Sequence, residues 1–575
     1  MSMNMNRFET DVLIIGGGGA ATAAAISAHE HGARTMLAVK GRFGVPGVRG
    51  AGATSNPLGD FWTMRTIGPH GSFLNPPELV YRDMLQTGLG MADPELCRVY
   101  VNEVSDAIRR LEEMGLKLKN KLFATMPANP NAGGTNGIVS TQKAILEGAA
   151  TRVIEHANIV DLIIENGRCL GAVGVDDNGE LLLIESAAVI LAAGGVGQLF
   201  RYSFNPPGNT GDAYAMALRA GATLFNMEFM QQGLATTWPQ QAMVMLYDMD
   251  KPYRLLNADG KAFLDDYLPD GVSAEQVSKL KASHWPVSCR DDALHLDRAI
   301  KGEVLAGRGT KHDAVLLDLS AAQRGFEPEL FPAFMRSKGI DVKRDLLQVQ
   351  VHHHTSNGGI RINQDAESTV PGLFAAGEAA GWQGADRLGG TMLSGSQVFG
   401  WRAGAKAAKI ERASRRNGSC DSAIEALQCR VSRFKQATGG QRPDELRRDL
   451  QQIMWETLLV EKDADALAKA KHYVEDERAR FQTRLRIHEP ADLALAFEHR
   501  NLLEVADVII AAASMRTESR GSHFRRDFQT RNDTDWLTNI FVTSSNDQLV
   551  LRKEWVAHEI GWKDQLGDVR IKPWG

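Results

Sequence analysis

Asp11 to Lys40, DVLIIGGGGAATAAAISAHEHGARTMLAVK, is the stretch from which the fold is read. Val12–Ile15 is a short apolar run, as in a strand buried within a parallel sheet. Gly16, Gly18 and Ala21 follow at the spacing G-x-G-x-x-G/A. Small residues there permit a tight turn, close approach of the backbone to a pyrophosphate, and helix packing on the sheet. Alanine-rich sequence to His31 favours a helix whose N-terminus faces the phosphates with its positive dipole end. Gly32 is the expected stop, and Thr35 to Val39 a second strand. Strand, glycine turn, helix and strand in that order point to a dinucleotide site. A nicotinamide fold usually ends this second strand on an acid for the ribose. Here it closes with Ala38, Val39 and Lys40, so the turn alone leaves the cofactor class open.

Working outward, 575 residues are too many for one core and imply two or three domains. An apolar content of 43% with 23% charged residues is ordinary for a globular protein, and a net charge of −5 offers no attraction to nucleic acid. The opening MSMNMNRFET has no apolar signal region and no twin arginine. No apolar run approaches the ~20 residues of a membrane span. Cys97, Cys169, Cys289, Cys420 and Cys429 are scattered without a CxxC. That pattern argues against a disulfide framework, a zinc site or an iron–sulfur cluster held by this chain alone. The expected setting is the cytoplasm, with reduced thiols.

Gly41 to Gly59 carries six glycines and two prolines and reads as a loop. Pro76 to Leu118 and Gln142 to His156 read as helical. Ile159 to Ile164 and Leu170 to Asp176 flank Glu165-Asn166-Gly167, a hairpin signal. Glu185 to Ala193 reads as a buried strand ending in glycines, and Asp212 is the expected cap of the helix that Asn209-Thr210-Gly211-Asp212 opens. From about Gln231 the texture changes, and strand–helix alternation resumes near Val349, so an inserted domain is expected between. Gly389 to Ala408 opens a helix of small residues. Glu411 to Pro443 has a linker composition, and Glu445 to Arg486 is strongly helical. The tail after Arg525 is polar, with a strand-like Leu549-Val550-Leu551.

Seven blocks carry a family likeness: DVLIIGGGGAA, ILAAGGVGQLF, NTGDAYAMALRAGATLFNMEFMQ, SCRDD, HHHTSNGGIRIN, VPGLFAAGEAAGWQGADRLGGTML and RTESRGSHFRRDF. In this order, over nearly the whole chain, they resemble the flavoprotein subunit family of succinate dehydrogenase and fumarate reductase. That family also holds L-aspartate oxidase and the adenylylsulfate reductase flavoprotein. The resemblance implies an α/β fold: a doubly wound FAD-binding domain in two parts, 1–230 and 346–412, with an inserted α+β capping domain at 231–345. A C-terminal helical domain at 413–525 and a tail at 526–575 complete it. The implied cofactor is FAD. Gly16, Gly18, Gly19 and Ala21 would meet the pyrophosphate and Glu378 the ribityl or ribose region. Lys40, Gly52, Ala193, Gly194, Asp212 and Leu393 complete the expected contacts. In the respiratory members a histidine bonds covalently to the flavin. The aligned position falls on or near Gly47, and no histidine lies between Lys40 and Asp60, so noncovalent FAD is expected.

By the same resemblance, Arg290 matches the catalytic arginine, His354 a substrate-binding histidine, and Arg387 an arginine that clamps a carboxylate bidentately. The implied chemistry is hydride transfer at flavin N5, with an iron–sulfur partner chain supplying or taking electrons. An arginine titrates above ~12, so acid–base work needs a dry site and a carboxylate partner, for which Asp291 is the neighbour in sequence. His352 and His353 are neighbours rather than ligands. A metal site is not expected from three consecutive histidines, whose side chains alternate on a strand.

The likeness has a gap. The family's His-Pro-Thr block should follow Glu228-Phe229-Met230-Gln231, yet the chain continues Gln232-Gly233-Leu234. The rest of the second carboxylate clamp falls on about Met245, Leu246 and Met249, with no basic residue before Lys251. Burying a carboxylate there without partners would cost several kcal/mol. The expected substrate is therefore not plain fumarate or succinate but an anionic small molecule of another kind: a monoanion, a larger molecule with an apolar part, or an oxyanion such as sulfite. Three readings stay open: an unsaturated-carboxylate reductase or its reverse, an adenylylsulfate-reductase-like flavoprotein using a flavin N5 adduct, and an electron-transfer subunit without substrate chemistry.

Overall fold

The computed structural model describes residues 4–55, 64–67, 75–120, 124–127, 137–149, 151–239, 241–242, 253–321, 335–411 and 420–556. Val12–Ile15 is the middle strand of a five-stranded parallel sheet. Ala188–Leu191 and then Leu373–Ala375 lie on one side of it, Thr35–Ala38 and then Arg152–Ile154 on the other. The chain thus reverses direction across the sheet beside the glycine turn, where doubly wound folds bind their ligands. All four residues of the central strand are buried, which explains its unbroken apolar run.

The helix Gly19–Glu30 is buried from Gly19 to Ala28 and has no polar face there. Its cover is the helix Thr391–Ala407. A Cβ on Gly400 would lie 2.7 Å from the Ala20 carbonyl oxygen, and one on Gly404 would lie 2.8 Å from Ser27 Cβ. Alanines on one helix and glycines on the other let the two backbones touch.

Two further layers place the site. The sheet Met230–Trp238, Leu347–Ser356, Val315–Asp318 and Arg254–Leu256 forms the core of the inserted region, with Ala274–Ser283 and Leu294–Leu305 as its helices. Its strand Leu347–Ser356 lies past the boundary at 345 drawn from composition. The expected linker at 411–443 contains the helix Asp421–Lys435, and Glu445 to Arg486 is two helices, Pro443–Leu458 and Ala464–Arg484. The tail is not a separate polar appendage. Thr538–Ser545 and Gln548–Trp555 form a hairpin that adds to Leu224–Phe225 of the first domain. Its two-residue turn, Asn546-Asp547 with both φ positive, is a hairpin signal that the polar composition hid. Met245, Leu246 and Met249 lie outside the described residues.

Candidate active site

One cavity of about 520 Å³ runs from the glycine turn to the inserted sheet. Gly16, Gly18, Gly19, Lys40, Gly52, Ala193, Gly194, Asp212, Glu378 and Leu393 all line it. Ala21 does not. It is fully buried in the core, where its small size lets the helix sit on the sheet. Gly52, at φ +73°, crosses so near the turn that a Cβ would lie 2.8 Å from Gly18 Cα. This backbone cradle faces the N-terminus of Gly19–Glu30 and so favours an anion. Asn209, which also lines the cavity, has a buried side-chain nitrogen with no partner among the described residues. The pyrophosphate and sugars of a dinucleotide flavin fit these donors.

The end beside the second strand carries a charge network. Lys40 Nζ donates to Thr210 Oγ1 at 2.7 Å, to Asp212 Oδ2 at 2.5 Å and to Glu498 Oε1 at 3.0 Å. Arg49 also donates to Glu498, at 2.9 Å. Burial alone would raise the Glu498 carboxyl, but Lys40, Arg49 and Arg447 hold it down at about 2. Glu498, Ala494, Phe497 and Asn501 belong to the long helix Ala491–Met515, which closes this end of the cavity. Further along, Glu378 accepts the Ser356 N–H at 2.9 Å, and burial pushes its carboxyl up to about 7.

At the far end Arg387 and His354 converge on Gln231. Arg387 donates to Gln231 Oε1 through Nη2 at 2.7 Å and Nε at 3.2 Å, and His354 Nδ1 lies 3.2 Å from the same oxygen. The arginine fork identifies that atom as the amide oxygen, so the His354 proton is assigned to Nδ1. Register explains the meeting: Gln231 pairs with Thr355 across the inserted sheet, beside His354. Burial, and then Arg387, hold the His354 imidazole well below its ordinary value, so it is neutral. Burial also lowers Arg387, to about 10, against the pull of Glu378. His353 turns to the other face and stacks on Phe200 at 4.9 Å.

Arg290 does not line the cavity. Its guanidinium binds Asp386, and its Nε donates to Ser288 Oγ at 3.0 Å. Ser288 in turn donates to Asp386 Oδ2 at 2.6 Å. The carboxylate partner is therefore Asp386, fully buried and next to Arg387, rather than Asp291, which His284 holds at 3.0 Å. Sequence reasoning missed Gln231, Trp285 and Phe204 at the Arg387 end of the cavity, and Asn209, Glu498 and Asn501 at the other. Gln231 stood in the block EFMQ and Trp285 five residues before Arg290, but only strand pairing brings either to the cavity.

A flavin-sized cavity that starts on a phosphate cradle and ends on a buried arginine and a neutral histidine defines a flavoprotein oxidoreductase. Comparison with known proteins places it further. Residues 11–393 match the FAD binding domain family, and residues 447–566 match the fumarate reductase flavoprotein C-terminal family. The chain belongs to the succinate dehydrogenase and fumarate reductase flavoprotein family, and its cofactor is FAD. It is 30% identical to a fumarate reductase (CoM/CoB) subunit of Methanothermobacter marburgensis, over 94% of this chain and 98% of that one. It is 29% identical to L-aspartate oxidase of Streptomyces coelicolor, over 94% and 92%. The solved Mycobacterium smegmatis Sdh1 in complex with UQ1 superposes with a TM-score of 0.81 at 26% identity, covering 96% of this chain and 95% of that one. Among the described residues no helix is long and apolar enough to cross a membrane.

Proposed function

We propose that the protein is the FAD-bearing, substrate-binding subunit of an oxidoreductase that interconverts an unsaturated and a saturated carboxylate, and that plain fumarate and succinate are poor substrates. The convergence of Arg387 and His354 on Gln231 carries this reading, because it fixes the Arg387 guanidinium in the cavity with Nη1 left without a partner among the described residues. Bound FAD would exchange a hydride with the substrate carbon. Gly16, Gly18, Gly19 and Gly52 would hold its pyrophosphate, and Glu378 its ribityl or ribose hydroxyls. The Arg387 fork binds and orients one carboxylate, and Gln231 keeps that fork aligned. Neutral His354 gives its one proton, on Nδ1, to Gln231 Oε1 and so helps hold that amide in place without adding charge. Arg290 is the candidate for moving the proton, since a buried carboxylate such as Asp386 is the partner an arginine needs for that work.

Electrons would pass to or from an iron–sulfur partner, a reading supported by five scattered cysteines and by relatives named as subunits. Free thiols fit a reducing, cytoplasmic setting. An oxyanion such as sulfite could occupy the same clamp. The deciding experiment is anaerobic: the reduced holoenzyme is mixed with crotonate, fumarate or sulfite while flavin absorbance is followed. Reoxidation by crotonate well ahead of fumarate is the expected result. Fumarate turnover on the order of 10⁵ M⁻¹s⁻¹ would overturn the substrate reading, and a sulfite adduct without enoate turnover would favour the adenylylsulfate-reductase type.

A further inference from the structure

The cavity wall beside the anion clamp is aromatic. Trp285 meets the His354 ring edge-on at 4.9 Å, Phe204 meets Trp285 at 5.4 Å, and Phe204 meets His354 at 5.5 Å. All three rings line the cavity with Arg387 and Gln231. The indole is fixed in place: its Nε1 donates to the Leu234 carbonyl at 3.2 Å, and Val287 N donates to Gln232 O at 2.9 Å just beyond. It lies directly on Gly233, where an added Cβ would lie 2.6 Å from Trp285 Cη2. The absence of a side chain at Gly233 therefore makes room for the tryptophan. A cationic Lys279 stands at the rim, but it is exposed and paired with Glu275 at 2.7 Å.

A ring triangle beside a single anion clamp matches a particular substrate shape. We infer that Trp285, seated on Gly233 and backed by Phe204, is a specificity-determining residue that selects a monocarboxylate whose double bond carries an aryl or similarly flat apolar substituent. This rests on the reading of the site as a carboxylate oxidoreductase. In the reducing direction, R–CH=CH–COO⁻ takes up two electrons and two protons to give R–CH₂–CH₂–COO⁻. The π bond is lost, and one C–H bond forms at each carbon. Aromatic contact with the substituent adds affinity beyond the area it buries. Sulfite would engage the clamp but leave this wall unused.

The test uses FAD-loaded enzyme with reduced methyl viologen, two molecules of which supply the two electrons. trans-Cinnamate, crotonate and fumarate are the substrates. Cinnamate should exceed both others in kcat/KM by at least about tenfold, and Trp285→Leu should bring the cinnamate-to-crotonate ratio of kcat/KM close to one. Flavin difference spectra give a second readout, titrating 3-phenylpropanoate against butanoate; wild type should bind the aryl acid more tightly and Trp285→Leu should not. Equal or better use of fumarate would overturn the inference and point to Lys279 as a second clamp. A Trp285→Leu effect that is uniform across substrates would also overturn it. If no enoate turns over but the aryl acid still binds preferentially through Trp285, the carboxylate oxidoreductase reading falls and the aromatic selectivity stands. Absence of both sinks both.

Discussion

Arg290 donates to a carboxylate with no access to solvent, and that carboxylate adjoins the residue that would bind substrate. Lysine at this position keeps a charge but cannot reach Asp386 and Ser288 together as a planar fork does. Arg290→Lys is expected to lower kcat by about 100-fold with FAD content unchanged; stopped-flow turnover within tenfold of wild type would remove Arg290 from the mechanism. A second buried cation can be tested by pH. Lys462 Nζ is buried and finds no partner among the described residues. Burial, reinforced by Lys301, lowers it to about 7 from an ordinary 10.5. Between those values the unfolded chain holds a proton that the folded chain has released. Its contribution to stability therefore rises with pH across that window and is lost as pH falls through 7. Lys462→Met should stabilise the protein by about 1–3 kcal/mol at pH 6, with the gain shrinking towards pH 10 in paired thermal melts. His354 and Arg387 were legible in the sequence because each sits inside a long motif. Gln231 and Trp285 were not, because their roles depend on the pairing of Gln231 with Thr355 and of Gly233 with Pro286.

At the scale of elements, the closest packing lies between the helices Gly19–Glu30 and Thr391–Ala407. A side chain on Gly404 would meet the Ala24 carbonyl, an atom of helix backbone that cannot rotate away. Gly404→Val should therefore destabilise the protein by about 2 kcal/mol or more and loosen FAD retention, because the first of these helices carries the phosphate end of the cavity. Gly440→Ala, where an added Cβ meets nothing within 4 Å, should stay within about 0.5 kcal/mol of wild type in the same denaturation series. The first βαβ unit was readable because its apolar runs and glycine spacing are local. Asp421–Lys435 was hidden by a charged, glycine-flanked sequence whose apolar face, Ile424, Leu427, Val431 and Phe434, packs on strands far away in the chain. The inserted sheet drew an inner strand, Leu347–Ser356, from beyond a compositional boundary for the same reason: partners distant in sequence decide its extent.

For the whole molecule, the described lining residues include one histidine, His354, and it stands at the end of the cavity where Arg387 lies. FAD is expected to be held without a covalent bond, so acid precipitation should release all the flavin to the supernatant. Fluorescence remaining on the denatured chain in a gel would contradict this. The helix Ala491–Met515 has a consequence for how the protein is made. Glu498 reaches Lys40 across 458 residues of sequence to finish the cofactor's enclosure. A ribosome that has emitted the complete glycine turn, and even both parts of the parallel sheet, has still not produced that wall. Cofactor capture should therefore be a late event in biogenesis, and chains truncated before residue 491 should emerge colourless even where their first domain has folded.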